Sequence, residues 1–148
     1  MEYITDKKKK NINEIIMFLE NINYDFPIPL TNKVNIREYV HKLYFQGRII
    51  CCFDDNKLVG IIGGYINDFQ TKNAYISVVG VLNSYRGQSI ASNLIKIFSI
   101  EASKNSMEYI YLHTHPSNEY AKKMYEKSGF YGELIDQNTL LYIKNIKI

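Results

Sequence analysis

A short polar turn that follows an apolar run has the composition of an anion-binding site. The run ends at Val79-Gly80-Val81, and the turn that contains Arg86 and Gly87 leads into a helical pattern. Free backbone N–H groups at a helix start, the positive end of the helix dipole and a neighbouring arginine all favour a phosphate. An ordinary strand-to-helix turn with a solvated arginine fits the same residues, and neither a Walker A loop nor a G-x-G-x-x-G fingerprint is present. The turn alone leaves both interpretations open.

Two histidines near the end of a predicted strand could act as a base. The segment from Tyr109 to Thr114 has strand character, and strand alternation puts His113 and His115 on the same face. An imidazole with an ordinary pKa of about 6.5 accepts a proton near neutrality. The same histidines could instead be structural or simply exposed. A zinc site built on them would need a third ligand that the sequence does not nominate.

The elements that position these residues are predicted from the spacing of apolar side chains. Helical spacing indicates helices near residues 12–19, 36–44, 90–98 and 121–128. Apolar runs indicate strands near residues 49–53, 58–62, 74–82, 109–114, 130–134 and 139–146. The strand-helix-strand step from Ala74 to Thr114 favours a parallel pair inside a mixed sheet. We therefore predict an α/β domain of the α+β type.

Length and composition limit the kind of protein. The chain has 148 residues, which predicts one domain over residues 1–148 with a hydrophobic core. A formal charge of +3 is too weak for a dedicated nucleic-acid binder, so no nucleic-acid partner is expected. The adjacent Cys51 and Cys52 form neither a redox pair nor a zinc ligand set, which fits a reducing cytoplasm. Without an export signal or a membrane-length apolar run, we expect a cytoplasmic location and no membrane partner.

Two motifs resemble the signatures of a known family. The segment Val79-Gly80-Val81, continued by Tyr85-Arg86-Gly87-Gln88-Ser89-Ile90-Ala91, is similar to the acetyl-CoA signature Q/R-x-x-G-x-G/A of GCN5-related N-acetyltransferases (GNAT). Residues 118–130 resemble the second signature of that family, N-x-x-A-x-x-x-Y-x-x-x-G-F. The order of helices and strands resembles the family over nearly the whole chain. The resemblance implies a mixed, mainly antiparallel central sheet flanked by helices, with a splayed parallel strand pair at the cofactor site.

The resemblance also implies a site for acetyl-CoA as cosubstrate, without a metal. The main chain of Val79, Gly80 and Val81 would pair with pantetheine as an added strand does. The phosphates would lie near Arg86 and against the amides of Gly87, Gln88, Ser89, Ile90, Ala91 and Ser92. Asn118 would bond the cofactor arm near the splay, although a role as helix N-cap explains the same residue.

Two residues would supply the acid and the base. Tyr125 matches the family tyrosine that protonates the leaving CoA thiolate, and a phenol of pKa ~10 can donate to a thiolate whose thiol has a pKa of ~8.5. A core tyrosine on the same helical stripe as Ala121 and Met124 is the alternative. His113 stands twelve positions before Tyr125, where some family members carry a glutamate, and His113, His115 or a water could be the base.

The implied activity is direct attack of a primary amine on acetyl-CoA in a ternary complex, without a covalent enzyme intermediate. The acceptor would be a small-molecule or peptide amine, and Tyr24, Asp25 and Phe26, with Asp68 and Phe69, could frame its pocket. The alternatives are a CoA-binding module without turnover and an interaction domain without a ligand. Strand edges after Phe130 favour a symmetric homodimer.

Ser89 departs from the family pattern, which usually has glycine at this position. If the backbone there requires a positive φ, the Cβ costs about 1–2 kcal/mol, which corresponds to roughly tenfold or somewhat more in cofactor affinity. The serine hydroxyl could recover part of that loss by donating to a phosphate oxygen. The departure therefore predicts weaker binding rather than no binding.

Overall fold

Seven strands form one mixed sheet. The computed structural model describes residues 1–147 and places the strands in the order β1-β2-β3-β4-β5-β7-β6. Their bounds are β1 Glu2–Ile4, β2 Arg48–Asp54, β3 Lys57–Tyr65, β4 Asn73–Val81, β5 Tyr109–Thr114, β6 Tyr131–Asp136 and β7 Thr139–Asn145. Every neighbouring pair is antiparallel except β4 and β5, which are parallel. This arrangement confirms the predicted mixed α/β fold with a mainly antiparallel sheet.

Four α-helices flank the sheet within the described residues: α1 Ile12–Ile22, α2 Ile36–Gln46, α3 Ile90–Lys104 and α4 Glu119–Lys127. Asn11, Asn35 and Asn118 precede α1, α2 and α4, and each side chain accepts a hydrogen bond from an amide in the first turn. Asparagine is among the best N-caps because its side-chain oxygen satisfies one of the free amides at a helix start. The helix α3 follows Ser89, whose side chain makes no such bond.

The helices cover the two faces of the sheet, and the sheet separates the core into two layers. In one layer Leu94 and Phe98 of α3 pack among residues of the sheet, and Tyr125 of α4 joins them. In the other layer α1 and α2 contribute residues such as Leu19 and Leu43. The run Ile49-Ile50-Cys51-Cys52 of β2 alternates between the two layers, so it is apolar throughout.

The strands β4 and β5 separate soon after they meet. They pair only where Asn73–Tyr75 lies beside Tyr109–Tyr111. Farther along, the β3–β4 register shifts so that Gly63 pairs with Val78 and Gly64 with Ile76, which leaves Ser77 as the extra residue of a β-bulge. A bulge bends its strand and increases the local twist. The result is a V-shaped gap in the sheet between the C-terminal ends of β4 and β5.

Two features of the topology were not predicted from the sequence. The short strand β1 pairs with β2 along the edge of the sheet, although too few residues alternate there to predict a strand. The last strand, β7, lies between β5 and β6, an order on which the sequence pattern made no prediction. Within residues 1–147, none of the helices has the length and apolarity to span a membrane.

Candidate functional site

A cleft of about 260 Å³ lies at the gap between β4 and β5. Its walls are the end of β4, the end of β5 with the segment after it, one side of α4, and the loop between α1 and α2. The predicted site residues that line it are Val79, Gly80, Val81, Arg86, Ala91, His113, Asn118 and Tyr125. The other predicted residues, Gly87, Gln88, Ser89, Ile90 and Ser92, lie outside this lining, on the turn before α3 and in its first turn.

The edge of β4 that faces the cleft is open. On one side, Val79, Gly80 and Val81 pair with β3. On the other side, the described part of the chain offers β4 a partner only at Asn73–Tyr75. Unpaired strand edges accept an extended ligand through main-chain hydrogen bonds. At Gly80, an added Cβ would lie 2.3 Å from the Ile22 Cδ1 atom, so glycine lets α1 pack close to this strand.

The start of α3 has free amides that suit an anion. Gly87 and Ser89 both have left-handed backbones, with φ of +79° and +64°. The first helical amide bond runs from Asn93 to the carbonyl of Ser89, so the amides of Ile90, Ala91 and Ser92 precede the intrahelical ladder. With no side-chain cap at Ser89, these amides and the helix dipole are available to a phosphate.

Ser89 does adopt the backbone conformation that usually belongs to glycine. A left-handed residue with a Cβ costs about 1–2 kcal/mol relative to a right-handed one. Ser89 therefore has the positive φ on which the predicted cost depends. Because this conformation forms the connection into α3, we expect its cost to lower the stability of the fold rather than the affinity for the cofactor.

Arg86 links the turn before α3 to the opposite loop. Its Nη2 atom lies 3.2 Å from the Oδ2 atom of Asp25, and its Nη1 atom donates to the Asn83 side chain at 3.4 Å. Both members of the ion pair are partly exposed, so its contribution to stability is small. The ion pair nevertheless connects two segments across the cleft: the predicted phosphate-binding turn that contains Arg86 and the predicted acceptor loop that contains Asp25.

Asn118 caps α4 and also lines the cleft. Its Oδ1 atom accepts from the Ala121 amide at 3.1 Å, as expected for an N-cap. The cap uses only the side-chain oxygen, so the Nδ2 group keeps two donors. The cap and the predicted contact with the cofactor arm are therefore compatible in one residue.

Tyr125 lies in the core but keeps contact with the cleft. The ring is 6% exposed and packs against Phe130 and Tyr142, with centroids 5.7 Å apart in both pairs. Within residues 1–147, every fully buried side-chain nitrogen and oxygen has a hydrogen-bond partner. The Tyr125 hydroxyl forms no hydrogen bond with the protein, so its oxygen is not fully buried and is accessible from the cleft. Burial raises the pKa of this phenol above its ordinary value, so it holds its proton at neutral pH.

The two histidines of the cleft have different surroundings. The Nδ1 atom of His115 accepts from the Ser117 amide at 3.1 Å and lies 2.7 Å from the Ser117 hydroxyl. In the neutral ring this hydrogen bond assigns the proton to Nε2. His113 is exposed, and its Nδ1 atom has only a long contact of 3.5 Å with the Tyr75 hydroxyl. The Nδ1 atom of His113 therefore has a weaker hydrogen-bond partner than the Nδ1 atom of His115.

The loop between α1 and α2 forms the wall opposite Tyr125. Asp25 and Phe26 line the cleft as expected from the sequence, whereas Tyr24, Asp68 and Phe69 are absent from the lining and exposed. Pro27, Ile28 and Leu30 of the same loop also line the cleft. The prolines and aromatic residues of the segment 24–30 indicate a non-helical loop that could line a pocket, and the structure places it there. Sequence reasoning missed Lys33 and, in β4, Ser77, for which no local pattern gave a signal.

A buried side chain fastens this loop. Asn23 is 3% exposed, its Oδ1 atom accepts from the Thr31 amide at 2.9 Å, and its Nδ2 atom donates to the Thr31 hydroxyl at 3.0 Å. These two bonds join the ends of residues 24–30 to each other. The loop that lines the cleft is thus held in shape from its base.

Comparisons with known proteins agree with this geometry. A 57-residue stretch, 38% of this chain and 19% of the relative, is 39% identical to GCN5-related N-acetyltransferase 6, chloroplastic, of Arabidopsis thaliana, so the match spans about a fifth of that protein. Aminoglycoside 6'-acetyltransferase type Ii has the same fold, with a TM-score of 0.82, 18% identity and coverage of 100% and 99% of the two chains. The PaiA N-acetyltransferase of Thermoplasma acidophilum, solved with coenzyme A, gives a TM-score of 0.72 at 16% identity, covering 98% and 99%. The sequence model of the acetyltransferase (GNAT) family matches residues 16–130, and the chain belongs to that family.

Proposed function

We propose that this protein is an acetyl-CoA-dependent N-acetyltransferase that acetylates a primary amine by direct attack in a ternary complex. The observation that carries the proposal is one cleft that joins an open strand edge, an uncapped helix start and the Tyr125 hydroxyl. A similar structure solved with coenzyme A supports the choice of cosubstrate. The cofactor wall of the cleft is formed by Val79–Val81, Arg86, Ala91, Asn118 and Tyr125, and the rest of the turn before α3 lies just outside this lining. The acceptor wall is formed by Asp25, Phe26, Pro27, Ile28, Leu30 and Lys33.

The cofactor wall fits an extended thioester ligand with a phosphorylated end. The main chain of Val79–Val81 would bond the amide arm, and the amides at the start of α3 would bind the pyrophosphate. Acetyl-CoA would supply an acyl group on a good leaving group. Arg86 lies within reach of the same turn, and Asn118 can donate to the arm while it caps α4.

Two residues of the lining could move protons, His113 on β5 and Tyr125 on α4. An acceptor ammonium with a pKa near 10.4 is neutral only about once in 10³ molecules at pH 7, which adds nearly 5 kcal/mol unless a base removes the proton. We assign that base to His113, directly or through a water, because the Nδ1 atom of His115 is engaged by Ser117. As the amine nitrogen bonds to the acyl carbon and the carbon–sulfur bond breaks, Tyr125 donates its proton to the departing thiolate, and the second proton of the nitrogen leaves through water as the neutral amide forms and restores the phenol.

The proposal is tested by ligand binding and by thiol release. Acetyl-CoA at 100 times its dissociation constant should stabilise the fold by ~2.7 kcal/mol, and desulfo-CoA and ATP serve as comparison ligands. Thiol release is then followed with a panel of amines. Burial raises the pKa of both protein thiols, that of Cys51 to about 12, so they add little background to a thiol reagent.

Each outcome has a definite meaning. Stabilisation by acetyl-CoA together with amine-dependent thiol release supports the enzyme. Binding without release by any amine would point instead to a CoA-binding module, and no binding at all would leave an interaction domain of the same fold.

The surroundings of the enzyme are also proposed. We infer one domain over residues 1–148, because one sheet takes in strands from Glu2 to Asn145. The buried free thiols of Cys51 and Cys52 fit the cytoplasm.

The edge strand β6 is exposed at all six residues, with Tyr131 85% exposed, which suits a symmetric homodimer through that edge. Sedimentation of the purified chain would test the dimer.

A further inference from the structure

The charges of the cleft limit which amines can bind there. Among residues 1–147, Asp25 is the only carboxylate in the lining, and Lys33 and Arg86 are the lysine and arginine. Asp25 already pairs with Arg86 at 3.2 Å. Lys33 forms no ion pair within the described part of the chain. The cleft therefore offers no spare negative charge and has one uncompensated positive charge on the acceptor wall.

The remaining surface of the acceptor wall is apolar. Phe26, Pro27, Ile28 and Leu30 line it, and each is at least partly exposed. The Asn23–Thr31 hydrogen bonds hold this stretch in place, so the apolar surface is preformed. Apolar side chains that stay accessible in a cleft are the usual lining for the body of an organic ligand.

Aromatic rings in the lining attract a cation without carrying a charge. Tyr120 and Tyr125 line the cleft, and Tyr120 is 56% exposed. The face of a tyrosine ring attracts a nearby cation without adding a formal charge. Such a lining suits a single ammonium, but it cannot neutralise several.

We propose, resting on the acetyltransferase function above, that the acceptor is a primary amine with one positive charge on an apolar body. The class comprises alkyl and arylalkyl monoamines. Polyamines and aminoglycosides are disfavoured, because every further ammonium would face Lys33 or Arg86 without a free carboxylate to pair with. Juxtaposed like charges select strongly against a wrong ligand. The cleft thus differs in preference from the aminoglycoside acetyltransferase whose fold it shares.

The test compares monoamine and polycation as acceptors at saturating acetyl-CoA and low salt. The probes are 2-phenylethylamine, spermidine and kanamycin, and the readout is kcat/KM from thiol release. We expect 2-phenylethylamine to exceed each polycation by about tenfold or more. An equal or higher kcat/KM for spermidine or kanamycin overturns the inference.

A charge-reversal variant assigns the preference to Lys33. Lys33→Glu replaces repulsion by attraction for every ammonium of the acceptor, so the ratio of kcat/KM for spermidine to that for 2-phenylethylamine is expected to rise about tenfold. The matched control is Lys96→Glu, an exposed lysine on α3 that is not in the lining, which should leave the ratio of the two substrates unchanged. Equal ratios for wild type and Lys33→Glu would overturn the charge argument. If acetyl-CoA does not stabilise the wild-type protein, it is the proposed function that fails, and this inference fails with it.

Discussion

The cofactor wall and the acceptor wall of the cleft present different kinds of groups. The cofactor wall offers mostly main-chain groups, namely the free edge of β4 at Val79–Val81 and the amides at the start of α3, beside a few side chains such as Asn118 and Tyr125. The acceptor wall offers side chains, among them Asp25, Phe26 and Lys33. Main-chain groups are the same for every residue, so the cofactor wall depends on backbone shape, whereas the acceptor wall changes its chemistry with each substitution. In the proposed enzyme, the backbone of the cofactor wall would determine the acyl donor, and the side chains of the acceptor wall would determine the amine.

Removing the Tyr125 hydroxyl should have the largest effect on catalysis. Tyr125→Phe keeps the ring that packs on Phe130 and Tyr142, so we expect kcat to fall about 100-fold with little change in acetyl-CoA affinity. Steady-state kinetics and calorimetric binding separate the two quantities. Tyr111→Phe, in a tyrosine outside the cleft lining, is the control. An unchanged kcat in Tyr125→Phe would remove the acid role from Tyr125.

The two histidines should differ when each is replaced by glutamine. His113→Gln is expected to lower kcat/KM for the amine about tenfold, a moderate loss because the residue is exposed and water can partly take its place. His115→Gln should change kcat/KM by less than about threefold, because its Nδ1 atom already serves Ser117. Equal losses in both variants would contradict the assignment of His113 as the base.

Loosening the acceptor wall should raise the amine KM without changing the affinity for acetyl-CoA. Asn23→Ala removes both hydrogen bonds to Thr31 at a buried site, which we expect to lower the free energy of unfolding by about 1–3 kcal/mol. The exposed Asn21→Ala on the same helix is the control. Urea unfolding and the two KM values are the measurements. A parallel rise in the acetyl-CoA dissociation constant would show that the two walls are not separate.

Relieving the backbone at Ser89 should give the smallest effect. Ser89→Gly removes the Cβ from a residue at φ +64° and should stabilise the fold by about 1 kcal/mol. Since the left-handed turn belongs to the fold, we expect the acetyl-CoA dissociation constant to change less than about threefold. Ser92→Gly, inside the first turn of α3, should destabilise the protein by roughly 0.5–1 kcal/mol instead. A tenfold gain in affinity for Ser89→Gly would place the strain in binding rather than in folding.

The sequence predicted the cofactor wall better than the acceptor wall for a physical reason. The residues of the two motifs lie close together in the chain, and the turn before α3 follows directly from Gly87 and Ser89. The contact between Arg86 and Asp25 joins residues 61 positions apart, and no local pattern indicates such a pair. The lining by Lys33 likewise depends on how α1 and α2 pack, which periodicity does not report.

The fold shows the same division between local and long-range information. The four helices and six of the seven strands follow from apolar spacing, because periodicity is a property of neighbouring residues. The position of β7 between β5 and β6 depends on pairing between strands, and the three residues of β1 are too few to show a period. Strand existence was therefore predictable where strand order was not.

The Asn23–Thr31 hydrogen bonds close residues 24–30 into a loop whose two ends are fixed to each other. Because the ends of the segment are joined at its base, the exposed part of the loop can change in length while Asn23 and Thr31 hold its two ends together. The entropic cost of a longer closed loop grows only with the logarithm of its length, about 0.6 kcal/mol for each doubling. New acceptor preferences could therefore be grafted or evolved here one segment at a time, while the machinery that handles the acyl donor is inherited unchanged.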